Sequence, residues 1–143
     1  MKANTFRDFR LEDIAKVAQE KGIDSANRFF LKESIFASAK KDSAVFSRLQ
    51  QMVYSYSGWQ WVHKNPIHGL IPPAIEQLKE IKIPVLIITG KRDIRDFQQI
   101  ATILHHNIRQ SRKKQIAGAG HMCAMEKPAV FNRLVIQFLM PAN

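Results

Sequence analysis

Two short stretches of this 143-residue chain carry residue types suited to proton transfer. Gly118-Ala119-Gly120-His121 is a glycine turn that presents one histidine directly after a short predicted strand, and Gly90-Lys91-Arg92-Asp93 ends a far more apolar strand with a carboxylate. In an open parallel sheet, ligands bind beyond the carboxyl ends of the strands, and Asp93 and His121 both lie there. If the two strands are neighbours, about 4.8 Å apart, the side chains come within hydrogen-bond reach. A carboxylate bonded to one imidazole nitrogen fixes the tautomer and stabilises the imidazolium, leaving the other nitrogen to take a proton from a nucleophile. Asp93 and His121 are therefore candidate acid and base of a catalytic triad, with Gly118 and Gly120 permitting the sharp exit and close approach of substrate. The third member, the nucleophile, is the open question.

The elements that must position this pair occupy the second half of the chain. Ile83-Pro84-Val85-Leu86-Ile87-Ile88-Thr89 is apolar at successive positions, as expected of a parallel strand covered on both faces. Asp96 and Gln99 have the spacing of a capping box for a helix running to about Asn107. A second strand is expected over 113–117, and Pro128 suits the first turn of a last helix bearing Val130, Phe131, Leu134, Val135, Phe138 and Leu139. The order is β-α-β-α.

The first half is helical. Leu11, Ile14, Val17 and Ala18 define one amphipathic helix, stopped by Gly22. Asp24 could cap a second holding Phe29, Phe30, Ile35 and Phe36, and Asp42 a third through Val45, Leu49, Met52 and Val53, closed by Gly58. Between the halves, Trp59 to Pro73 crowds bulky and rigid groups and reads as a connector, and its histidines, His63 and His68, lack the carboxylate company of a metal site. Pro73 suits the start of a short helix through Ala74, Ile75 and Leu78.

Composition narrows the function classes. An apolar share of 45% with 24% charged residues is that of a globular protein and argues against disorder. No apolar run approaches the roughly 20 residues that span a bilayer, and residues 1–8 lack a signal-peptide core, so we expect no membrane role and a cytoplasmic chain. A single cysteine, Cys123, excludes an internal disulfide and a cysteine-clustered zinc site. The net charge of +10 is scattered, and its densest group, Arg109, Arg112, Lys113 and Lys114, follows a helix end where cations stay solvated. Without a nucleic-acid module or interleaved aromatics, nucleic acid is not the expected partner. Nothing implies a cofactor: there is no phosphate loop, dinucleotide fingerprint or metal constellation.

From about Trp59 onward the sequence resembles the C-terminal half of an α/β-hydrolase. The matching residues are Pro72-Pro73-Ala74, Pro84 to Gly90, Asp93 with Asp96-Phe97, Gly118 to Met122, Glu126 with Pro128, Phe131-Asn132 and Phe138-Leu139. The resemblance implies an α/β fold in which a helical cap segment, residues 1–69 with the connector, precedes the last β-α-β-α part of the parallel sheet, residues 70–143. It further implies Asp93 as triad acid, His121 as general base and Asp96 as a helix cap. Trp59, Trp61, Phe97 and Met122 are candidates to line a substrate pocket, with packing in the core as the equal alternative.

That family carries a serine nucleophile on a G-x-S-x-G elbow earlier in the chain, and no pair of glycines here brackets a serine at that spacing. Cys123 is no ready substitute, standing two residues after His121 in the same loop, and a buried or incidental cysteine is the better reading. The expectation is a C-terminal portion of a hydrolase of esters or carbon–carbon bonds, inactive alone. A second polypeptide would supply the serine elbow and oxyanion hole, and a small-molecule substrate would bind only once the fold is completed. Isolated, the two strands leave an apolar edge open, which predicts association or poor folding. The alternatives are a non-catalytic module binding a protein or an anion, and a decayed gene remnant.

Overall fold

The computed structural model describes residues 11–63 and 71–140. The chain divides into two compact units, Met1–Ile67 and His68–Asn143. Among the described residues no helix is long and apolar enough to cross a membrane.

The first unit is helical. Helices α1 (Leu11–Lys21) and α2 (Ile23–Phe30) meet across Gly22, whose φ of 80° is a conformation that glycine adopts without a Cβ penalty. Gly22, not Asp24, is the N-cap of α2, because the chain leaves α1 and re-enters a helix within one residue; Asp24 sits in the first turn, where its charge complements the helix dipole. The expected second helix ends at Phe30. Beyond it the chain runs through two 3-10 turns, Ser34–Phe36 and Ala39–Lys41, that still bury Leu31, Ile35, Phe36 and Ala39. Helix α3 (Ser43–Ser55) begins as expected at Asp42, whose Oδ1 accepts from the Ala44 and Val45 N–H groups at 3.0 and 3.1 Å. It ends before Gly58, which instead starts the short α4 (Trp59–Val62) with φ 69°. A Cβ at Gly58 would crowd the Ile23 side chain, so the glycine lets α4 approach the start of α2. The core is Ile14, Ala18, Ala26 and Trp61, with Phe30 and Tyr56 edge-on to the Trp61 ring at centroid distances of 5.6 and 5.2 Å.

The second unit holds the sheet. A short helix α5 (Ala74–Gln77) and a 3-10 turn (Leu78–Glu80) lead to β1 (Val85–Gly90), followed by α6 (Arg95–Asn107), β2 (Ser111–Ile116), α7 (Cys123–Glu126) and α8 (Pro128–Leu139). The strands pair in parallel from Val85 opposite Ser111 to Gly90 opposite Ile116. Pairing starts two residues later than the apolar run because Pro84 has no N–H to give the ladder; Val85 is the first to donate, to the Gln110 carbonyl at 3.1 Å. β2 begins at Ser111, two residues before the expected span of 113–117, and ends one residue short of it at Ile116. Ile116, Ala119 and Cys123 form a buried cluster on which Ile88 of β1 and Val130, Phe131 and Leu134 of α8 pack. Ile87, one position along β1, points to the opposite face by the period-two rule. The result is the α/β arrangement expected: a helical segment, then a β-α-β-α unit with both strand ends carrying loops on one side.

Candidate active site

The acid loop is built from the end of β1. Past Gly90 the ladder continues into the histidine loop, with Lys91 N–H donating to the Ile116 carbonyl at 2.9 Å and Arg92 N–H to the Ala119 carbonyl at 2.8 Å. These bonds place Asp93 beside the exit of β2. Its carboxylate accepts the Ile94 N–H through Oδ1 at 2.8 Å, and its own carbonyl accepts from Gln98 Nε2 at 2.7 Å.

The histidine loop turns at Gly118, where φ is 74°, and is buried at Ala119 and Gly120. Gly120 N–H donates to the carboxylate of Glu126, 3.1 Å from Oε1 and 3.0 Å from Oε2. His121 follows, and its Nδ1 lies 3.2 Å from both carboxylate oxygens of Asp93. The Asp93 side chain is 5% exposed and that of His121 29%, so the acid is held inside while the imidazole reaches the surface of the site. Phe97 of α6 lies against the imidazole, ring centroids 4.2 Å apart. With Nδ1 committed to Asp93, the tautomer that carries its proton there leaves Nε2 as a base.

A cleft of about 210 Å³ opens beside this pair. Ile87, Phe97, Leu104 and Cys123 wall it around Asp93 and His121. Thr89 also lines it, and its buried Oγ1 has no hydrogen-bond partner among the described residues.

The residues singled out in the sequence fall in different places. Asp93 and His121 meet, and Phe97 joins them. Met122 is half-buried at the start of α7 and is not among the residues lining the cleft. Trp61 belongs to the core of the helical unit, 5% exposed, while Trp59 is exposed and stacks on His63 at 4.6 Å. His68 lies outside the described residues. Asp96 is not the cap: α6 starts at Arg95 with Ile94 as N-cap, so Asp96 occupies the first turn. The neighbour of the expected Gln99, Gln98, is the residue that ties α6 to the acid loop, donating to the carbonyls of both Asp93 and Lys91. Cys123 is buried, and that burial, with the charges of Asp93 and Glu126, pushes its thiol pKa up, away from a thiolate at neutral pH.

Gln98 and the grip of Glu126 on Gly120 escaped the sequence reading. Glu126 stood only in an ordered pattern with Pro128; its spacing of six residues from Gly120 is the one signal that could have suggested a loop closed on itself.

No protein-family profile matches the chain. Over 88 residues it is 32% identical to Protein ABHD14A of Danio rerio, covering 54% of this chain and 31% of that protein. It is 34% identical over 71 residues to a Bacillus subtilis (strain 168) protein assigned as 2-succinyl-6-hydroxy-2,4-cyclohexadiene-1-carboxylate synthase, covering 50% of this chain and 26% of the relative. The structure of MenH from S. aureus superposes with a TM-score of 0.75 at 26% identity, covering 90% of this chain and 49% of MenH. The chain thus spans about half the MenH structure and under a third of the two sequence relatives. Its parallel strands, the paired acid and histidine loops beyond their ends and these similarities agree: the chain has the fold of a portion of an α/β-hydrolase.

Proposed function

We propose that this chain supplies the acid and base of a hydrolase site, Asp93 and His121, and that a serine on a strand-turn-helix elbow, absent from these 143 residues, completes it. The observation that carries this reading is the approach of both Asp93 carboxylate oxygens to His121 Nδ1 at 3.2 Å, beyond the ends of two paired parallel strands. In such a pair the buried carboxylate stabilises the imidazolium that forms when Nε2 takes the proton of an attacking hydroxyl, and the same nitrogen returns the proton to the leaving group. The resemblance supports hydrolysis of an ester or a carbon–carbon bond as the reaction class.

The two strand edges support completion by a further strand. The β2 sequence carries Arg112, Lys113 and Lys114, charges that discourage another strand from pairing, whereas β1 has no charged residue and no second strand partner among the described residues. An apolar strand of this kind is suited to the interior of a sheet. Its open edge and the cleft beside His121 are where a serine-bearing strand and elbow would dock. The helical segment, residues 1–69, would serve as the cap of the completed enzyme. Lys91, Arg92 and Arg95, all exposed around the acid loop, favour an anionic substrate, and one relative is named for a carboxylate.

The test joins this chain to an N-terminal α/β-hydrolase half that carries a G-x-S-x-G elbow and measures turnover of a chromogenic short-chain ester. Serine-dependent hydrolysis above that of either part alone supports the proposal. Equal rates for the joined and separate parts contradict it.

A further inference from the structure

We propose that Glu126 is a positioning residue for the Asp93–His121 pair, acting through the Ala119–Gly120 peptide group. The inference rests on the acid–base reading of that pair and deepens it.

This one peptide group is held at both ends. Its carbonyl, on Ala119, accepts the Arg92 N–H of the acid loop at 2.8 Å, and its N–H, on Gly120, donates to the Glu126 carboxylate at 3.1 and 3.0 Å. In a trans peptide the C=O and N–H point to opposite sides, so the two bonds fix the rotation of the whole plane. Gly90 closes on the same group: a Cβ there would overlap the Ala119 carbonyl. The next residue is His121, whose contact with Asp93 depends on where that plane delivers the chain.

The grip is needed because Gly118 and Gly120 give this turn more backbone freedom than any other pair of residue types would. Glu126 can supply it because its own backbone is anchored. Its N–H donates to the Met122 carbonyl at 2.9 Å, and the following α8 is packed through Val130, Phe131 and Leu134 onto Ile116, Ala119 and Cys123. A carboxylate accepts more strongly than a neutral group, which suits a bond that must restrain a glycine loop.

The test follows two protons by NMR in the ¹⁵N-labelled 143-residue chain: the Gly120 amide, and the His121 Nδ1–H assigned by its loss in His121→Gln. Glu126→Ala is expected to shift the Gly120 amide upfield. It is also expected to speed exchange of the Nδ1–H with water about tenfold, the consequence of losing one charge-assisted hydrogen bond. Glu126→Gln, which keeps an acceptor, should restore most of the protection, and the buried amides of β1 and β2 should exchange as before. If the alanine variant does not fold, Glu126→Asp, one methylene shorter, is read in the same way. Unchanged Nδ1–H exchange, exchange that rises equally throughout the sheet, or no protected Nδ1–H in the parent chain would each overturn the proposal. The measurement needs no substrate, so absence of ester turnover would count against the completed-site reading and leave this result standing.

Discussion

Gly90 lies so close to Ala119 that a Cβ on the first would overlap the carbonyl of the second, and the neighbouring Gly120 carbonyl as well. The last residue of β1 thereby sets how near the acid loop can come to the histidine loop. The obstruction is backbone, which cannot swing aside as a flexible side chain can. Gly90→Ala is expected to destabilise the fold by about 1–3 kcal/mol, the range for forcing extra atoms into a packed site. Denaturant unfolding measures the cost, and the loss of the protected His121 Nδ1–H in the folded variant would show that the two loops have parted.

Asp93→Asn addresses the pair itself. The amide keeps the size of the side chain but offers an N–H₂ where the carboxylate had only acceptors, so the imidazole no longer has two equivalent oxygens for its Nδ1–H. The expected outcome is loss or strong upfield movement of the Nδ1–H proton resonance with the sheet intact. In a completed enzyme the corresponding fall in kcat would be on the order of ten-thousandfold, the size that a serine-protease triad shows for the same change.

Cys123 gives a pH-dependent prediction. Burial raises its folded-state pKa above that of the exposed thiol, so the folded state holds its proton where the unfolded state has released it. Stability from this source is complete below the unfolded pKa of roughly 8.5–9 and falls as pH rises from there through the folded value. Cys123→Ala should flatten the alkaline part of a stability-against-pH curve. The native thiol should also react with an alkylating reagent far more slowly at pH 8 than the unfolded chain does.

The two tryptophans separate by environment. Trp61 is buried among Ile14, Ala18 and Ala26, and Trp61→Ala should cost the helical unit about 3–5 kcal/mol. Trp59, half exposed on α4, should cost less than about 1 kcal/mol when truncated. Thermal unfolding followed by far-ultraviolet circular dichroism checks both values. A small effect at Trp61 would mean that the ring serves something other than the core.

These contrasts show which features a sequence reveals. Asp93 and His121 were legible because each follows a strand with a glycine turn, and chain order alone places both beyond the same sheet end. Asp42 was legible because an N-cap is a local property, decided within three residues. The break after Phe30 was not, since Leu31, Ile35 and Phe36 keep an apolar spacing that suits helix and 3-10 turn alike. Trp59 and Trp61 look equivalent as residue types, and only the packing of α4 tells one from the other. Glu126 and Gln98 act on backbone groups of loops, contacts that residue type alone does not reveal.

The most direct test of the account compares ester turnover by the joined protein, serine-bearing remainder plus this chain, with that of its His121→Ala variant. If His121 is the general base, turnover falls by at least about a thousandfold while the serine half and the fold are unchanged. Turnover that survives the substitution would contradict the assignment of Asp93 and His121 as the acid and base of the completed site.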